Sequence, residues 1–283
     1  PPVVGRSPLE AKSRAPAGPL LAPAEPFPMA YAFGDSDPAA QRLRLLADVF
    51  ARSTRPFLCE AAPGGRRLAL DLGCGPGYTT HLLAATLDCA RVTGLDNSER
   101  FISLAKRTEN DRVSFARHDI TAVPFPTGPA GVIYARFLLT HLQDPAQAIA
   151  SWATQLQRGG LLLLEETEWI DTTNPVFSRY VQIVEAMLHH QGNVLYIGPL
   201  LDTFPLPARF TGRSSQVRRL TVTNRATAAM FVLNVQAWRD HPFIREHYPA
   251  GVVARLHADL TALAADPSDA AEIEWGVRQV VLR

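Results

Sequence analysis

The chain has little of what would place it in several large protein classes. Of its 283 residues only three are cysteine, Cys59, Cys74 and Cys89. The number is odd and the spacing fits no zinc site. No disulfide framework and no bound metal are therefore expected, and the three read as reduced thiols of a cytoplasmic protein. Charged residues make up 19% of the chain and the net charge is +1. No basic stretch is interleaved with aromatics, so nucleic acid is not an expected partner. No apolar run approaches the ~20 residues a membrane-spanning helix needs, and no membrane partner is expected. Hydrophobic residues, at 47%, are enough for a large core and exclude general disorder.

Proline is distributed unevenly. Eight of the 23 prolines fall within the first 28 residues, which show little apolar periodicity; proline removes donors and fixes φ, so such a segment resists helix and sheet. Residues 1–28 are expected to be a flexible proline-rich leader, or an upstream extension of a chain that starts at Met29. From there an amphipathic stretch over 37–58 predicts a helix, with Leu43, Leu46, Val49 and Phe50 on one face and Arg42, Arg44 and Asp48 off it. Strands at 68–72, 91–96, 113–118, 131–135 and 160–167 then alternate with helices at 78–87, 98–107 and 144–157. This order predicts an α/β fold with a doubly wound, mostly parallel sheet and a ligand at the carboxyl ends of its strands. Helices at 175–191, 226–239 and 252–265, and strands at 217–223 and 273–282, complete the reading.

The segment Leu68 to Tyr78 carries the strongest signal, an apolar strand ending Asp71-Leu-Gly73-Cys74-Gly75-Pro-Gly77 before a helix. Glycine lets a backbone take positive φ and approach a ligand closely, and the helix directs free N–H groups at the same place. A dinucleotide fingerprint would need its third glycine where Tyr78 stands, and no Lys-Ser/Thr follows for a P-loop. About 20 residues on, a second apolar run ends at Asp96, at the spacing of a ribose-binding carboxylate in open α/β sites. A third β-period stretch runs to His118-Asp119-Ile120.

These motifs resemble those of class I S-adenosylmethionine (SAM) methyltransferases, of the bacterial small-molecule type with a domain like that of the ubiquinone and menaquinone methyltransferases. The resemblance covers about residues 31 to 283 and is specific over 68–167. It implies a Rossmann-like seven-stranded sheet whose last strand, at 273–282, is antiparallel, with a helical cap. The methyltransferase domain would span 29–283, with the SAM-binding core at 60–170 and cap or substrate elements at 29–58 and 175–265. By the same resemblance Asp71, Gly73, Cys74 and Gly75 form the cofactor turn. Asp96 would take the ribose, with Asn97 beside the adenine, Asp119 would accept from the adenine amino group, and His118 and Ile120 would flank the ring. Ala135 and Arg136 would supply backbone contacts to the methionine end, and Tyr31, in Tyr-Ala-Phe-Gly34, would close a lid.

The implied reaction is direct SN2 transfer of a methyl group from SAM to an O, N or C nucleophile of a small molecule, leaving S-adenosylhomocysteine. A protein or RNA methyltransferase, and a SAM-binding accessory or sensor protein without transferase activity, are the alternatives. The position after the fourth strand carries Ala135-Arg136-Phe-Leu and not the Asn/Asp-Pro-Pro-Tyr found in enzymes acting on base or glutamine amides. Candidate catalytic groups are His141, an imidazole that titrates near neutrality, and Glu166 and Glu168 at the end of the fifth strand. The oligomeric state is left open, a homodimer included.

Overall fold

A computed structural model of the protein describes residues 34–268 and 270–283. The expected leader and the expected lid residues Tyr31 and Phe33 lie outside the described residues. Helix α1 (Asp37–Ala61) begins where Ser36 caps it, the Ser36 Oγ accepting from the Ala39 N–H at 3.4 Å, with Pro38 near its start. Its buried face carries Phe50, Phe57 and Leu58. Arg42 differs from expectation, being buried on that inner side near His141. A long aliphatic stem allows an arginine to pack inward in this way.

Strand β1 (Arg66–Leu72), helix α2 (Tyr78–Thr86), strand β2 (Cys89–Asp96), helix α3 (Glu99–Lys106) and strand β3 (Val113–Arg117) follow. Then come β4 (Ala130–Arg136), α4 (Pro145–Ala153) and β5 (Leu156–Thr172). With β6 (Arg213–Val222) and β7 (Ile273–Leu282) they form one seven-stranded sheet, ordered β3-β2-β1-β4-β5-β7-β6. Strands β1 to β5 pair in parallel, and β7 runs antiparallel to both β5 and β6. The fold is therefore the doubly wound, mostly parallel sheet with an antiparallel last strand that the alternation and the resemblance implied.

The central strands are covered on both faces, which is why they read as continuous apolar runs. Leu70, Leu72 and Ile133 pack on one face with Trp152 of α4, and Ala69, Val92 and Val132 on the other with Leu83 of α2. Strand order reverses at β1, which has β2 on one side and β4 on the other. In an open α/β sheet such a switch point leaves a crevice at the carboxyl ends of the strands. The segments after β1, β2 and β4 converge there.

Helices α5 (Pro175–His190), α6 (Asn224–Trp238), α7 (Pro242–His247) and α8 (Ala250–Ala265) share a further core with β7 and α1, including Phe50, Tyr180, Phe231, Trp238 and Trp275. Tyr180 stacks on Phe231 with ring centroids 3.6 Å apart. Helix α7 was not expected from the sequence, because six residues give too little periodicity to read. Strand β6 starts at Arg213, earlier than expected, and β5 extends beyond 160–167 at both ends.

Candidate active site

The turn between β1 and α2 is built on backbone conformations that side chains resist. Gly73, Gly75 and Gly77 have φ of 65°, 52° and 91°. A Cβ on Gly73 would stand 2.7 Å from Leu138 Cδ1, and one on Gly77 would stand 2.5 Å from the Phe115 ring. Gly77 is thus required by close packing as well as by φ. Gly77 occupies the N-cap of α2, with no side chain capping the helix, so its first N–H groups face the turn. Buried Cys74 anchors the turn to β2, its N–H donating to the Leu95 carbonyl at 3.1 Å.

Two of the expected acids meet this turn. Asp96, last residue of β2, accepts from the Gly75 N–H through Oδ2 and from the Ser98 N–H through Oδ1, both at 2.8 Å. Ser98 caps α3, accepting from the Phe101 N–H at 3.1 Å. Burial raises the Asp96 pKa, and the hydrogen bonds from Ser98 and Gly75 oppose that rise. Asp71 is buried beneath the turn, where Oδ2 accepts from the Thr80 hydroxyl at 2.7 Å. Burial pushes it up to about 7, partly offset by Thr80 and by the Arg136 charge.

The third acid is placed differently. Exposed Asp119 turns back on its own loop, Oδ1 accepting from the N–H and hydroxyl of Thr121. His118 lies alongside, its Nε2 2.8 Å from the Ala122 carbonyl and its ring edge-on to Phe125. Its backbone N–H donates to the Asp96 carbonyl at 2.9 Å, which ties this loop to β2. Ile120 is buried and its carbonyl accepts from Trp152 Nε1. Asn97 is exposed, its carbonyl accepting from Arg117 Nε.

The segment after β4 supplies the opposite wall. Ala135 is fully buried, and the Arg136 guanidinium donates to the hydroxyls of Thr54 on α1 and Thr79 on α2, each at 3.1 Å. Phe137 has φ of 51°, and Leu138 then lies against Gly73. Glu166 grips this turn, Oε1 accepting from the N–H groups of Leu138 at 2.8 Å and Leu139 at 2.7 Å. Burial raises its pKa to about 8 against those two hydrogen bonds. His141 is part-buried in the following 3-10 turn (Leu139–His141). Burial, then the Arg42 charge, lowers it to about 3 and keeps the imidazole neutral.

Glu168 sits apart from this group. Its carboxylate pairs with Arg278 of β7, which also bridges to Asp202 at 2.7 Å and to the Ser215 hydroxyl at 3.0 Å. The structure thus brings together Asp71, Gly73, Cys74, Gly75, Asp96, Ala135, Arg136 and Glu166.

Several participants were not singled out from the sequence. Thr80 holds Asp71, and Asp35 accepts from the Ser98 hydroxyl at 2.8 Å, tying the residues before α1 to the Asp96 turn. Glu165 is fully buried and accepts from Tyr134, Thr54 and Gln279. Gly94 lets β2 approach the turn, since a Cβ there would stand 2.8 Å from Cys74 Sγ. Only the serine had a readable signal, as an N-cap two residues after an acid. Among the described residues no group of three or more His, Cys, Asp or Glu is arranged to hold a metal ion, and no helix is long and apolar enough to cross a membrane.

Residues 70–164, from β1 to β5, match the model of the methyltransferase domain family. An uncharacterized 37.1 kDa protein in transposon TN4556 of Streptomyces fradiae is 34% identical over 220 residues, covering 75% of this chain and 61% of the relative. Trans-aconitate 2-methyltransferase of Methylobacterium radiotolerans is 39% identical over 115 residues, covering 40% of this chain and 44% of that enzyme. The chain thus spans less than two thirds of the length of these relatives. Among solved structures, phosphoethanolamine N-methyltransferase 2 of Haemonchus contortus superposes with a TM-score of 0.51 and 15% identity, covering 92% of this chain and 62% of the other. A plantazolicin methyltransferase superposes with a TM-score of 0.50 and 13% identity, over 87% of each chain. These likenesses agree on the fold.

Proposed function

We propose, from the premise that residues 70–164 belong to the methyltransferase domain family, that the protein is a class I SAM-dependent enzyme transferring a methyl group to a small-molecule acceptor. One observation carries this reading: the Asp96 carboxylate and the Gly73–Gly77 turn meet directly, through the 2.8 Å bond from Gly75 N–H. The residues present fit the cofactor. The positive-φ glycine turn leaves its backbone free of side chains on the ligand side, and an ionised Asp96 retains lone pairs for a ribose diol beyond the two N–H groups it accepts.

Bound SAM supplies a methyl group already activated on a sulfonium. The protein's own residues would then align the acceptor and exclude water. In this reading the backbone of Gly73–Gly77 and Asp96 hold the nucleoside, with Asp119 and Ile120 toward its base. The segment Ala135–Leu138 bounds the methionine end.

Base chemistry is the weaker part of the site. His141 is a poor base when its pKa is held near 3, both Glu168 oxygens face Arg278, and Glu166 Oε1 is occupied by two backbone donors. An acceptor that is already anionic at neutral pH needs no base. A carboxylate oxygen meets that condition, and it is the acceptor type suggested by the relatives named for trans-aconitate. The test is transfer of labelled methyl from SAM to a panel of small acids, trans-aconitate among them, beside amines and phenols. Labelling of an acid with loss of the label under mild alkali supports an O-methyl ester. Binding of SAM without transfer to any of the three classes would count against a small-molecule transferase and favour the accessory role.

A further inference from the structure

We infer that Glu166 is a positioning residue, which holds the turn after β4 in its cofactor-facing conformation and does so as a neutral acid. The purpose of the turn rests on the proposed function; the hold itself rests on geometry. Phe137 is the only non-glycine residue with positive φ among the described residues. A side chain in that region persists only where its surroundings over-determine it. Here they do so on three consecutive N–H groups. Phe137 N–H donates to the Glu165 carbonyl at 2.9 Å, and the next two, of Leu138 and Leu139, converge on Glu166 Oε1.

This grip has consequences on both sides. It directs Leu138 against Gly73, close enough that a Cβ there would clash at 2.7 Å. It also turns the Phe137 ring edge-on to Phe50 of α1, with centroids 4.8 Å apart. One carboxyl group therefore couples the glycine turn, the post-β4 turn and α1.

The second oxygen decides the charge state. Glu166 is 1% exposed, and its Oε2 makes no hydrogen bond. Among the described residues no cation offsets its charge, and the buried Arg42 of α1 acts on His141. Glu165, its neighbour on β5, repels a second negative charge. Arg278, its cross-strand partner on β7, is engaged by Glu168 and Asp202. His141, in the turn that Glu166 holds, is kept neutral. Ionisation would spread negative charge onto the buried Oε2, which has no donor beside it, and that is costly even with two N–H groups on Oε1. A carboxylic acid satisfies both turn N–H groups with one oxygen and remains uncharged.

The experiment compares wild type, Glu166→Gln and Glu166→Ala by calorimetric titration with S-adenosylhomocysteine at several pH values from about 6 to about 9, beside their unfolding midpoints. Glutamine keeps the acceptor oxygen and the shape without the charge. We expect Glu166→Gln to bind as wild type does near neutrality and to lack the weakening that wild type shows as pH rises through about 8. We expect Glu166→Ala to bind about tenfold or more weakly at all pH values. Asp71 and Asp96 are unchanged in all three proteins, so the difference between wild type and glutamine variant isolates Glu166. Identical pH dependence of wild type and Glu166→Gln, in binding and in unfolding alike, overturns the neutral-acid role. Wild-type affinity in Glu166→Ala overturns the positioning role. Failure of wild type to bind at any pH contradicts the proposed function instead, and the unfolding curves still decide the charge state.

Discussion

Gly75 donates its backbone N–H to the Asp96 carboxylate at 2.8 Å. The bond joins the turn after β1 to the end of β2, across the strand pair where the sheet order changes direction. One acid therefore shapes the glycine turn and keeps lone pairs that, in the proposed function, a ligand diol would use. Within the proposed function, cofactor affinity and the local order of the turn should fall together when this side chain is removed.

The glycine turn itself makes a prediction about packing. Gly77→Ala meets the Phe115 ring at 2.5 Å at a φ of 91°, whereas Gly128→Ala, at a φ of 76°, meets nothing within 4 Å. The second substitution should cost only the left-handed backbone, about 1 kcal/mol. The first should cost ~1–3 kcal/mol more through overpacking. Chemical denaturation of the two variants checks this. Equal losses would mean that the contact with Phe115 does not constrain the turn.

Asp71 predicts a pH dependence of stability. Burial raises its folded pKa from 3.8 to about 7. The native chain thus holds this proton more tightly than the unfolded chain, so its contribution is fully present below about pH 4 and is lost as pH rises toward 7. Asp71→Asn removes the decline, an effect of ~4 kcal/mol if the whole window is crossed. Its unfolding midpoint should therefore gain on wild type between about pH 4 and about pH 7. Parallel curves would contradict the buried acid.

Glu168 and Arg278 form a pair whose side chains are 12% and 15% exposed. Glu168→Ala leaves a largely buried guanidinium with one carboxylate partner, at a cost of ~2–3 kcal/mol in stability. Affinity for S-adenosylhomocysteine should be nearly unchanged. A variant of native stability that has lost methyl transfer would assign Glu168 to chemistry instead of to the β5–β7 connection.

A neutral His141 has a kinetic signature. Burial and Arg42 hold it near 3, so the pH–rate profile should show no imidazole step between about pH 5 and about pH 8. A step near 6.5 that disappears in His141→Gln would show that the imidazole titrates during turnover.

The parallel core was legible because buried strands are apolar runs bounded by glycine and acidic turns, and Leu68–Asp96 has both features. The strand at 273–282 was legible as a strand, but its antiparallel direction came only from the resemblance. The start of β6 was not: Arg213–Gln216 lies on an edge strand whose pairing with β7 comes from register, with no buried face to impose a pattern. At the site, the spacing of Gly73, Gly75 and Asp96 foretold that they would meet. It did not foretell what the side chains after β4 and β5 would bond. Glu165, Glu166 and Glu168 look alike in sequence. The first faces Thr54 and Tyr134, the second the Leu138 turn and the third Arg278. Strand alternation and the irregularity between Thr167 and Trp169 make that difference.

Calorimetric titration of wild type and Asp96→Ala with SAM and S-adenosylhomocysteine tests the central claim most directly. The account predicts one site per chain for wild type, and a loss of about tenfold or more in affinity for the variant, whose turn has lost both its Gly75 bond and its ribose acceptor. Absence of binding by wild type, or equal binding by Asp96→Ala, would contradict it.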